Sequence, residues 1–289
     1  MTRRPLTAYV DGELVPADRA TVSVYDRGFR TGEGVFETLR AHGTAVFRLE
    51  DHLRRAAAGA HELGFDPGPL DGLAAAVEAT ARANVEVLGD DSALRLTVSA
   101  GRIDPDSPIP GRPEGAPTVV VTSHPLAPVP SSVAAVSVPL ARELPHVKAV
   151  SYLVAVTARR QAAERGAGEA LLTDPTGHVL EGAASNLFVV TGGRLVTPPR
   201  GAGLLAGVTR QVVLELAARE GIAVEERPLL LREVLAADEA FLTSTTRGLV
   251  PLRAVDDAPL PTGDGPGPVT TRLRRAYAEE VEHDRARRG

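Results

Sequence analysis

The sequence contains no cysteine and no tryptophan, and only one of its 32 basic residues is a lysine. Without cysteine the chain can form neither disulfide bonds nor thiolate metal sites. It has no run of about 18 apolar residues, which a membrane-spanning helix needs, and residues 1–9 contain no apolar core of signal-peptide length. These absences predict a cytoplasmic protein that does not insert into a membrane.

A large excess of charge of one sign is also missing. The formal net charge is −5, and the basic side chains of residues 272–288 are interleaved with acidic ones. That interleaving is typical of the solvated end of a terminal helix, so we expect no nucleic-acid partner. With 289 residues, of which 43% are hydrophobic, the chain can bury one large core or two ordinary ones.

The single lysine is Lys148. Arginine serves wherever only a positive charge is needed, because its guanidinium stays protonated and makes forked hydrogen bonds. For the same reason arginine cannot become neutral and condense with an aldehyde, so a lone lysine is a candidate Schiff-base nucleophile. The alternative is that Lys148 merely survives in a composition biased toward arginine, and its sequence neighbours must decide between the two.

Signatures of several other enzyme classes are absent. The seven histidines are scattered without an H-E-x-x-H pattern, and the chain has no G-x-S-x-G motif and no Walker lysine. The glycines of residues 201–207 are spaced one residue too widely for a dinucleotide-binding fingerprint. We therefore expect no metal site and no serine-hydrolase chemistry.

Hydrophobic periodicity predicts an alternation of strands and helices. In the first half it predicts strands at 8–15 (with a turn at Asp11-Gly12), 22–25, 35–40, 45–49, 92–100 and 118–122, and helices at 49–63 and 70–88. In the second half it predicts strands at 134–139, 170–173, 178–180, 186–190, 223–228 and 239–243, and helices at 149–165, 208–221 and 231–237. Proline-rich stretches divide the chain into an N-terminal domain (1–117), a linker (118–133) and a C-terminal domain (134–289). Few strand–helix–strand units recur, which favours an α+β protein with antiparallel strands.

Six segments, taken in order, resemble the class IV, or fold-type IV, pyridoxal-phosphate-dependent aminotransferases. They are DRGFRTGEGVFE at 26–37, RLEDHLRR at 48–55, Val147-Lys148 with Ser151, LEGAASNLF at 180–188, GVTR at 207–210 and TSTT at 243–246. The resemblance runs from Tyr9 to about Pro251. It implies a two-domain α+β fold, with a smaller N-terminal α/β domain and a larger C-terminal domain built on a mixed, mainly antiparallel sheet.

The resemblance also assigns roles around the cofactor, pyridoxal 5′-phosphate. It implies that Lys148 forms the Schiff base and then shuttles the substrate proton. It implies that Glu181 faces the pyridine nitrogen and keeps it protonated, and that Arg55, rather than its neighbour Arg54, binds the phosphate. The remaining implied cofactor contacts are Val208 and Thr209 at a helix start, Thr245, Ser185 and Asn186.

The substrate site is implied less fully. On a strand, Phe36, Thr38 and Arg40 share one face, and the resemblance implies that this face, with Thr246, lines the substrate pocket. Classical D-amino acid aminotransferases have tyrosine in place of Phe36, and V-T-R-G where this chain has V-S-A-G at 98–101. Arg30 and Arg95 are the candidates to replace that missing arginine as carboxylate ligands, although either could instead form a surface salt bridge.

The first function implied is transfer of an amino group between a D-amino acid, or an (R)-amine, and a 2-oxo acid such as 2-oxoglutarate or pyruvate. The second is aminodeoxychorismate lyase, which would release pyruvate. The third is a branched-chain aminotransferase, disfavoured because Lys148 and the following residues are one residue shorter than the K-x-x-x-N-Y spacing of that branch. A family member that only binds a ligand is a fourth alternative. The resemblance further implies a homodimer in which the Arg30 loop reaches the neighbouring subunit's pocket.

Overall fold

The computed structural model describes residues 5–103 and 115–288. Its helices are α1 (Arg27–Thr31), α2 (Leu49–Glu62), α3 (Leu70–Leu88), α4 (Leu153–Glu164), α5 (Val208–Arg219), α6 (Leu231–Ala236) and α7 (Pro268–Arg288). Within the described part of the chain, no helix is both long and apolar enough to cross a membrane. The chain divides into two compact units, of which the first comprises residues 1–127, 147–151 and 282–289 and the second residues 128–146 and 152–281.

The first unit is built on a six-stranded antiparallel sheet in the order β2-β1-β6-β5-β3-β4. Its strands are β1 (Thr7–Val10), β2 (Glu13–Pro16), β3 (Gly34–His42), β4 (Ala45–Val46), β5 (Asp91–Ser99) and β6 (Thr118–Pro125). Helices α2 and α3 bury their apolar positions in the same core as one face of this sheet, including Leu53 and Val77. The other face carries Phe36 and Thr38 from β3 and Arg95 and Thr97 from β5.

The second unit is built on a ten-stranded mixed sheet. Its strands are β7 (Val133–Val138), β8 (Glu169–Thr173), β9 (His178–Gly182), β10 (Asn186–Thr191), β11 (Arg194–Thr197), β12 (Val224–Glu226), β13 (Leu229–Leu230), β14 (Glu239–Ser244), β15 (Gly248–Val255) and β16 (Ala258–Pro259). The order is β12-β11-β10-β14-β15-β7-β8-β9-β13, with β16 paired to β15. The pairs β7–β8, β7–β15 and β11–β12 are parallel and the other pairs antiparallel. The prediction of an α+β fold with a mixed, mainly antiparallel C-terminal sheet is confirmed.

One predicted element is wrong, and another begins later than predicted. Residues 22–25 form no strand, because the chain instead enters α1, where Asp26 accepts hydrogen bonds from the N–H groups of Gly28 and Phe29. The helix predicted at 149–165 begins only at Leu153. The N–H of Phe36 donates to the carbonyl of Lys148, and the N–H of Val150 donates to the carbonyl of Gly34. These bonds hold residues 148–150 extended against β3.

The compact units also differ from the predicted domain boundaries. Residues 118–125, placed in the linker by their prolines, form β6 in the first sheet. Residues 147–151 and 282–289, placed in the C-terminal domain, belong to the first unit. The order of residues along the chain does not predict this assignment, because the Lys148 segment hydrogen-bonds to β3, which lies more than a hundred residues earlier.

Candidate active site

Lys148 lies beside an aromatic ring of the first unit. Its Nζ is 4.6 Å from the centroid of the Phe36 ring, and the guanidinium carbon of Arg95 is 3.7 Å from the same centroid. Phe36 is 3% exposed. A cation over an aromatic face is attracted by the ring quadrupole. The buried ring thus brings together the only lysine and one of the two predicted carboxylate ligands.

The strand register explains this meeting. Phe36 and Thr38 on β3 lie opposite Thr97 and Arg95 on β5, so all four side chains share the face turned away from the helices. The sequence predicted this face for Phe36, Thr38 and Arg40. Toward the far end of β3, Arg40 forms an ion pair with Asp91, with its NH2 group 3.1 Å from the carboxylate.

Arg30 is placed differently from Arg95. It lies in the short helix α1, is exposed, and has its guanidinium carbon 6.0 Å from the centroid of the Tyr25 ring. The first unit therefore gathers Arg95, but not Arg30, at the Phe36 ring beside Lys148. The role predicted for Arg30 stays a prediction that depends on a second subunit.

Arg55 is part of a buried triad on the helix side of the first sheet. Its Nε and NH2 groups donate to the two carboxylate oxygens of Glu37 at 2.7 and 2.5 Å, and Nδ1 of His52 lies 2.7 Å from the same carboxylate. Glu37 and His52 are fully buried, whereas the side chain of Arg55 is 13% exposed. Arg54, one residue earlier, points outward with its side chain 67% exposed and pairs with Asp51. Of the two arginines Arg55 is the one that points inward, and its role at the phosphate stays a prediction.

The triad fixes the charge of Glu37. Burial by itself would raise the pKa of Glu37, but the charge of Arg55 and hydrogen bonds from His52 and Arg55 outweigh burial and lower the pKa from 4.5 to about 2. Burial lowers the pKa of His52, although its contact with Glu37 opposes this shift. At neutral pH a carboxylate therefore neutralises Arg55 through a bidentate pair and orients its guanidinium.

Acid should destabilise this triad in two stages. Protons bind more readily to His52 in the unfolded chain, so stability begins to fall below pH 6.5. The contribution of Glu37 is present above its ordinary value of 4.5 and is lost as the pH falls toward about 2. That second stage amounts to about 3 kcal/mol in the free energy of unfolding. Denaturant unfolding between pH 7 and pH 2.5 should show this second loss of stability in wild type and not in Glu37→Gln. If the free energy of unfolding fell equally with pH in both proteins, the loss could not be assigned to Glu37.

Glu181 is the centre of a polar network in the second unit. It is 2% exposed, and its Oε2 accepts hydrogen bonds from the N–H of Leu205 at 3.1 Å and from the amide of Asn186 at 3.4 Å. Its Oε1 lies 3.0 Å from Nε of Arg142. Asn186 also donates to the carbonyl of Leu205 at 2.9 Å. The structure thus joins two predicted cofactor ligands, Glu181 and Asn186, and adds Arg142, which the sequence reasoning missed.

The start of α5 provides backbone donors for an anion. Gly207 is its N-cap without a side-chain cap, and the first N–H groups of any helix lack partners within the helix. A Cβ on Gly207 would stand 2.0 Å from Oδ1 of Asn186, so only glycine permits this close approach. The predicted residues Val208 and Thr209 form the first turn beyond it.

Hydroxyl groups from the neighbouring strands complete this region. Thr243 on β14 lies opposite Asn186 on β10, and its Oγ1 is buried without a hydrogen-bond partner among the described residues. Thr245 and Thr246 form the half-buried turn that follows. The hydroxyl of Ser185 donates to Glu169 at 2.9 Å, and its role as a cofactor ligand stays a prediction. The Thr243 hydroxyl, which has no partner in the described part of the chain, and the start of α5, which has no side-chain cap, fit a ligand rich in acceptor oxygens.

Known proteins match almost the whole chain. Residues 34–255 match the family model described as amino-transferase class IV. The chain belongs to the class IV aminotransferases. One relative, the putative branched-chain-amino-acid aminotransferase of Methanocaldococcus jannaschii, is 35% identical over 94% of this chain and 95% of its own length. A D-alanine aminotransferase of Bacillus licheniformis is 29% identical over 96% of this chain and 98% of its own length.

Solved class IV structures agree. A branched-chain aminotransferase from Thermoproteus uzoniensis, solved with norvaline, superposes with a TM-score of 0.87 at 30% identity, over 96% of this chain and 95% of the other. A branched-chain amino acid aminotransferase from T.th., solved with pyridoxamine 5′-phosphate, gives a TM-score of 0.86 at 28% identity, over 98% of this chain and 96% of the other. Class IV aminotransferases use pyridoxal 5′-phosphate, so the predictions of the family, the enzyme class and the cofactor are confirmed.

The described residues fit this cofactor. Its phosphate requires donors such as the first turn of α5 and the Thr243 hydroxyl, and its ring nitrogen requires a carboxylate such as the buried Glu181. Sequence reasoning missed Glu37, although a strand face shared with Val35 and Leu39 is a signal for a buried acid. No local signal in the sequence marks Arg142, because its partners Glu181 and Ala183 lie about forty residues away along the chain. Thr243 stands in the TSTT segment, but the sequence reasoning chose only Thr245 and Thr246 from it.

Proposed function

We propose that this class IV aminotransferase moves an amino group between a D-amino acid and a 2-oxo acid such as 2-oxoglutarate or pyruvate. The cofactor supplies an aldehyde and an electron-withdrawing ring. Lys148 would supply the amine that holds the aldehyde and, once released, would carry the proton to and from the substrate carbon. As the family resemblance implies, Arg55 and the first turn of α5 would hold the phosphate, and Glu181 would hold the proton on the ring nitrogen.

One observation carries the preference for a substrate with a carboxylate. The guanidinium of Arg95 and Nζ of Lys148 both lie next to the Phe36 ring. A carboxylate bonded to the reacting carbon would therefore meet a guanidinium close to the catalytic amine. A partly desolvated carboxylate needs such a partner to offset its lost hydration. Thr38 and Thr97 on the same face favour polar substrates further.

The second candidate is a branched-chain aminotransferase acting on L-amino acids. Similarity to the M. jannaschii and T. uzoniensis proteins favours it. The polar face around Arg95 argues against it, because a branched aliphatic side chain gains most from an apolar lining. Aminodeoxychorismate lyase remains the third reaction that the same residues could support.

Half-reactions of the holoenzyme separate these candidates. D-alanine, L-leucine and aminodeoxychorismate are mixed in turn with the pyridoxal form, and the absorption spectrum is followed. D-alanine should convert the cofactor to the stable pyridoxamine form faster than L-leucine does. A faster reaction with L-leucine would establish the second candidate, and release of pyruvate from aminodeoxychorismate without pyridoxamine would establish the third.

Replacing Arg95 by alanine tests the carboxylate assignment. We expect kcat/KM for D-alanine to fall by about 10- to 150-fold, since a lost charged hydrogen bond costs about 1.5 to 3 kcal/mol. An (R)-amine without a carboxylate should be much less affected. The matched control is Arg82→Ala, which removes an exposed arginine of α3. Equal losses for the amino acid and the amine would show that Arg95 supports the fold instead.

We also propose that the enzyme is a homodimer. The segment before and within α1 exposes an apolar cluster, with Val24 67% and Phe29 71% exposed and Tyr25 nearly half exposed. Exposed apolar clusters mark protein interfaces, and a second copy of the chain is the partner implied by the family resemblance. The cytoplasmic location stays a prediction.

Subunit mixing tests both the dimer and the Arg30 loop. If Arg30 serves the neighbouring subunit, Lys148→Ala and Arg30→Ala subunits, each inactive alone, should regain activity when mixed, because each heterodimer then has one complete site. Analytical ultracentrifugation gives the mass in parallel. A fully active monomer, or mixtures that stay inactive, would contradict the proposal.

A further inference from the structure

Arg142 pairs with the very carboxylate that the proposed function assigns to the cofactor ring. Its Nε lies 3.0 Å from Oε1 of Glu181, and the side chains are 12% and 3% exposed. The two atoms are not aligned as a hydrogen bond, so this contact is chiefly an attraction between charges. The other oxygen, Oε2, accepts from the N–H of Leu205. Each oxygen of Glu181 therefore already faces a protein group.

Arg142 is fixed independently of Glu181. Its NH2 group donates to the carbonyl of Ala183 at 2.8 Å, and its guanidinium carbon is 5.3 Å from the centroid of the Tyr152 ring. The Tyr152 hydroxyl donates to the same carbonyl at 3.0 Å. An arginine held by these two contacts keeps its charge next to Glu181 when a further cation arrives.

Elementary electrostatics gives the consequence. A buried carboxylate that is already paired with a guanidinium attracts another proton donor less strongly than an isolated carboxylate does. The ring nitrogen of the cofactor would be such a donor. We propose that Arg142 is a positioning residue that shares the charge of Glu181, an inference that rests on the proposed function. By sharing this charge, Arg142 limits how firmly Glu181 holds the proton on the ring nitrogen. Arg142 thereby sets how strongly the ring withdraws electrons from the substrate.

The experiment measures binding to the apoenzyme and requires no turnover. Pyridoxamine 5′-phosphate is compared with its carbocyclic analogue, in which a CH group replaces the ring nitrogen. The dissociation constant of the carbocyclic analogue is divided by that of pyridoxamine 5′-phosphate. This ratio isolates the contact between Glu181 and the nitrogen, because the phosphate contacts and the other ring contacts are the same in both compounds. In Arg142→Met we expect this ratio to rise by about tenfold, equivalent to about 1.4 kcal/mol.

A double-mutant cycle identifies the cause. In a Glu181→Gln background, Arg142→Met should leave the ratio unchanged, because the charge that Arg142 shares is gone. Arg142→Lys should stay near the wild-type ratio. The matched control Arg160→Met, at an exposed position of α4, should behave as wild type. A ratio that is unchanged or lowered in Arg142→Met would overturn the inference.

Folding is controlled separately. Arg142→Gln keeps a donor for the Ala183 carbonyl while removing the charge, and it should raise the ratio as Arg142→Met does. If neither neutral variant folds, Arg142 is a structural residue and the inference is overturned. If wild type and Glu181→Gln show the same ratio, the assignment of Glu181 under the proposed function fails instead, so the two failures are distinguishable.

Discussion

Replacing Lys148 by alanine should lower the rate of transamination by at least about a thousandfold. The variant loses both the amine that holds the cofactor aldehyde and the base that moves the substrate proton, and proton transfer alone contributes about 10²- to 10⁴-fold. No other lysine exists to replace it. The rate of the half-reaction with D-alanine measures the effect, and Arg160→Met is the control. A variant that retains a tenth of the wild-type rate would refute the role of Lys148.

The same uniqueness allows a direct chemical identification. Borohydride treatment of the holoenzyme should attach the cofactor covalently to one tryptic peptide, residues 143–159, because trypsin cannot cleave at a modified Lys148. Mass spectrometry then locates the added mass. A label on the α-amino group of the chain, or no label at all, would contradict the central assignment.

Glu181→Gln should slow the half-reaction by at least about a hundredfold, corresponding to roughly 2.7 kcal/mol. The phosphate contacts proposed for Arg55 and for the first turn of α5 would be unaffected, so the variant should still bind the cofactor. The amide can still accept the hydrogen bond from Leu205, but it has no charge with which to hold the ring proton. Cofactor content and single-turnover rates are measured together, with the exposed Glu164→Gln as control.

Two other results of the Glu181→Gln experiment would contradict the role proposed for Glu181. Near-wild-type rates with full cofactor content would mean that another group protonates the ring. A variant that loses the cofactor and unfolds at a lower temperature would show that Glu181 chiefly neutralises the buried charge of Arg142. Thermal unfolding of both apoproteins separates this second result from a purely catalytic loss.

Local patterns predicted the elements that depend on local physics. Helix α3 was predicted at its observed bounds, 70–88, and α2 to within one residue, because each repeats apolar residues at helical spacing over at least three turns. The prediction failed at 149–152, where only Ala149 has a strong helix propensity. There the free backbone groups of β3 offered hydrogen bonds that a helix starting at Ala149 would have excluded.

The predicted substrate face shows the same division. Alternation along β3 correctly grouped Phe36, Thr38 and Arg40, because side chains of a strand alternate between its two faces. It could not show that Arg40 pairs with Asp91 while Arg95 lies on Phe36. Those contacts depend on the register between β3 and β5, which is set by the packing of the whole sheet.

The sequence by itself determined the family, the cofactor and the unique amine, because these follow from the types of the residues and their spacing along the chain. It also determined the α+β class, since strand and helix periods are local properties of the chain. Only the tertiary structure decided which partners these residues meet. Arg142 beside Glu181, Glu37 between His52 and Arg55, and Arg95 over Phe36 join residues that are separated along the chain, and their distances follow from packing rather than from spacing.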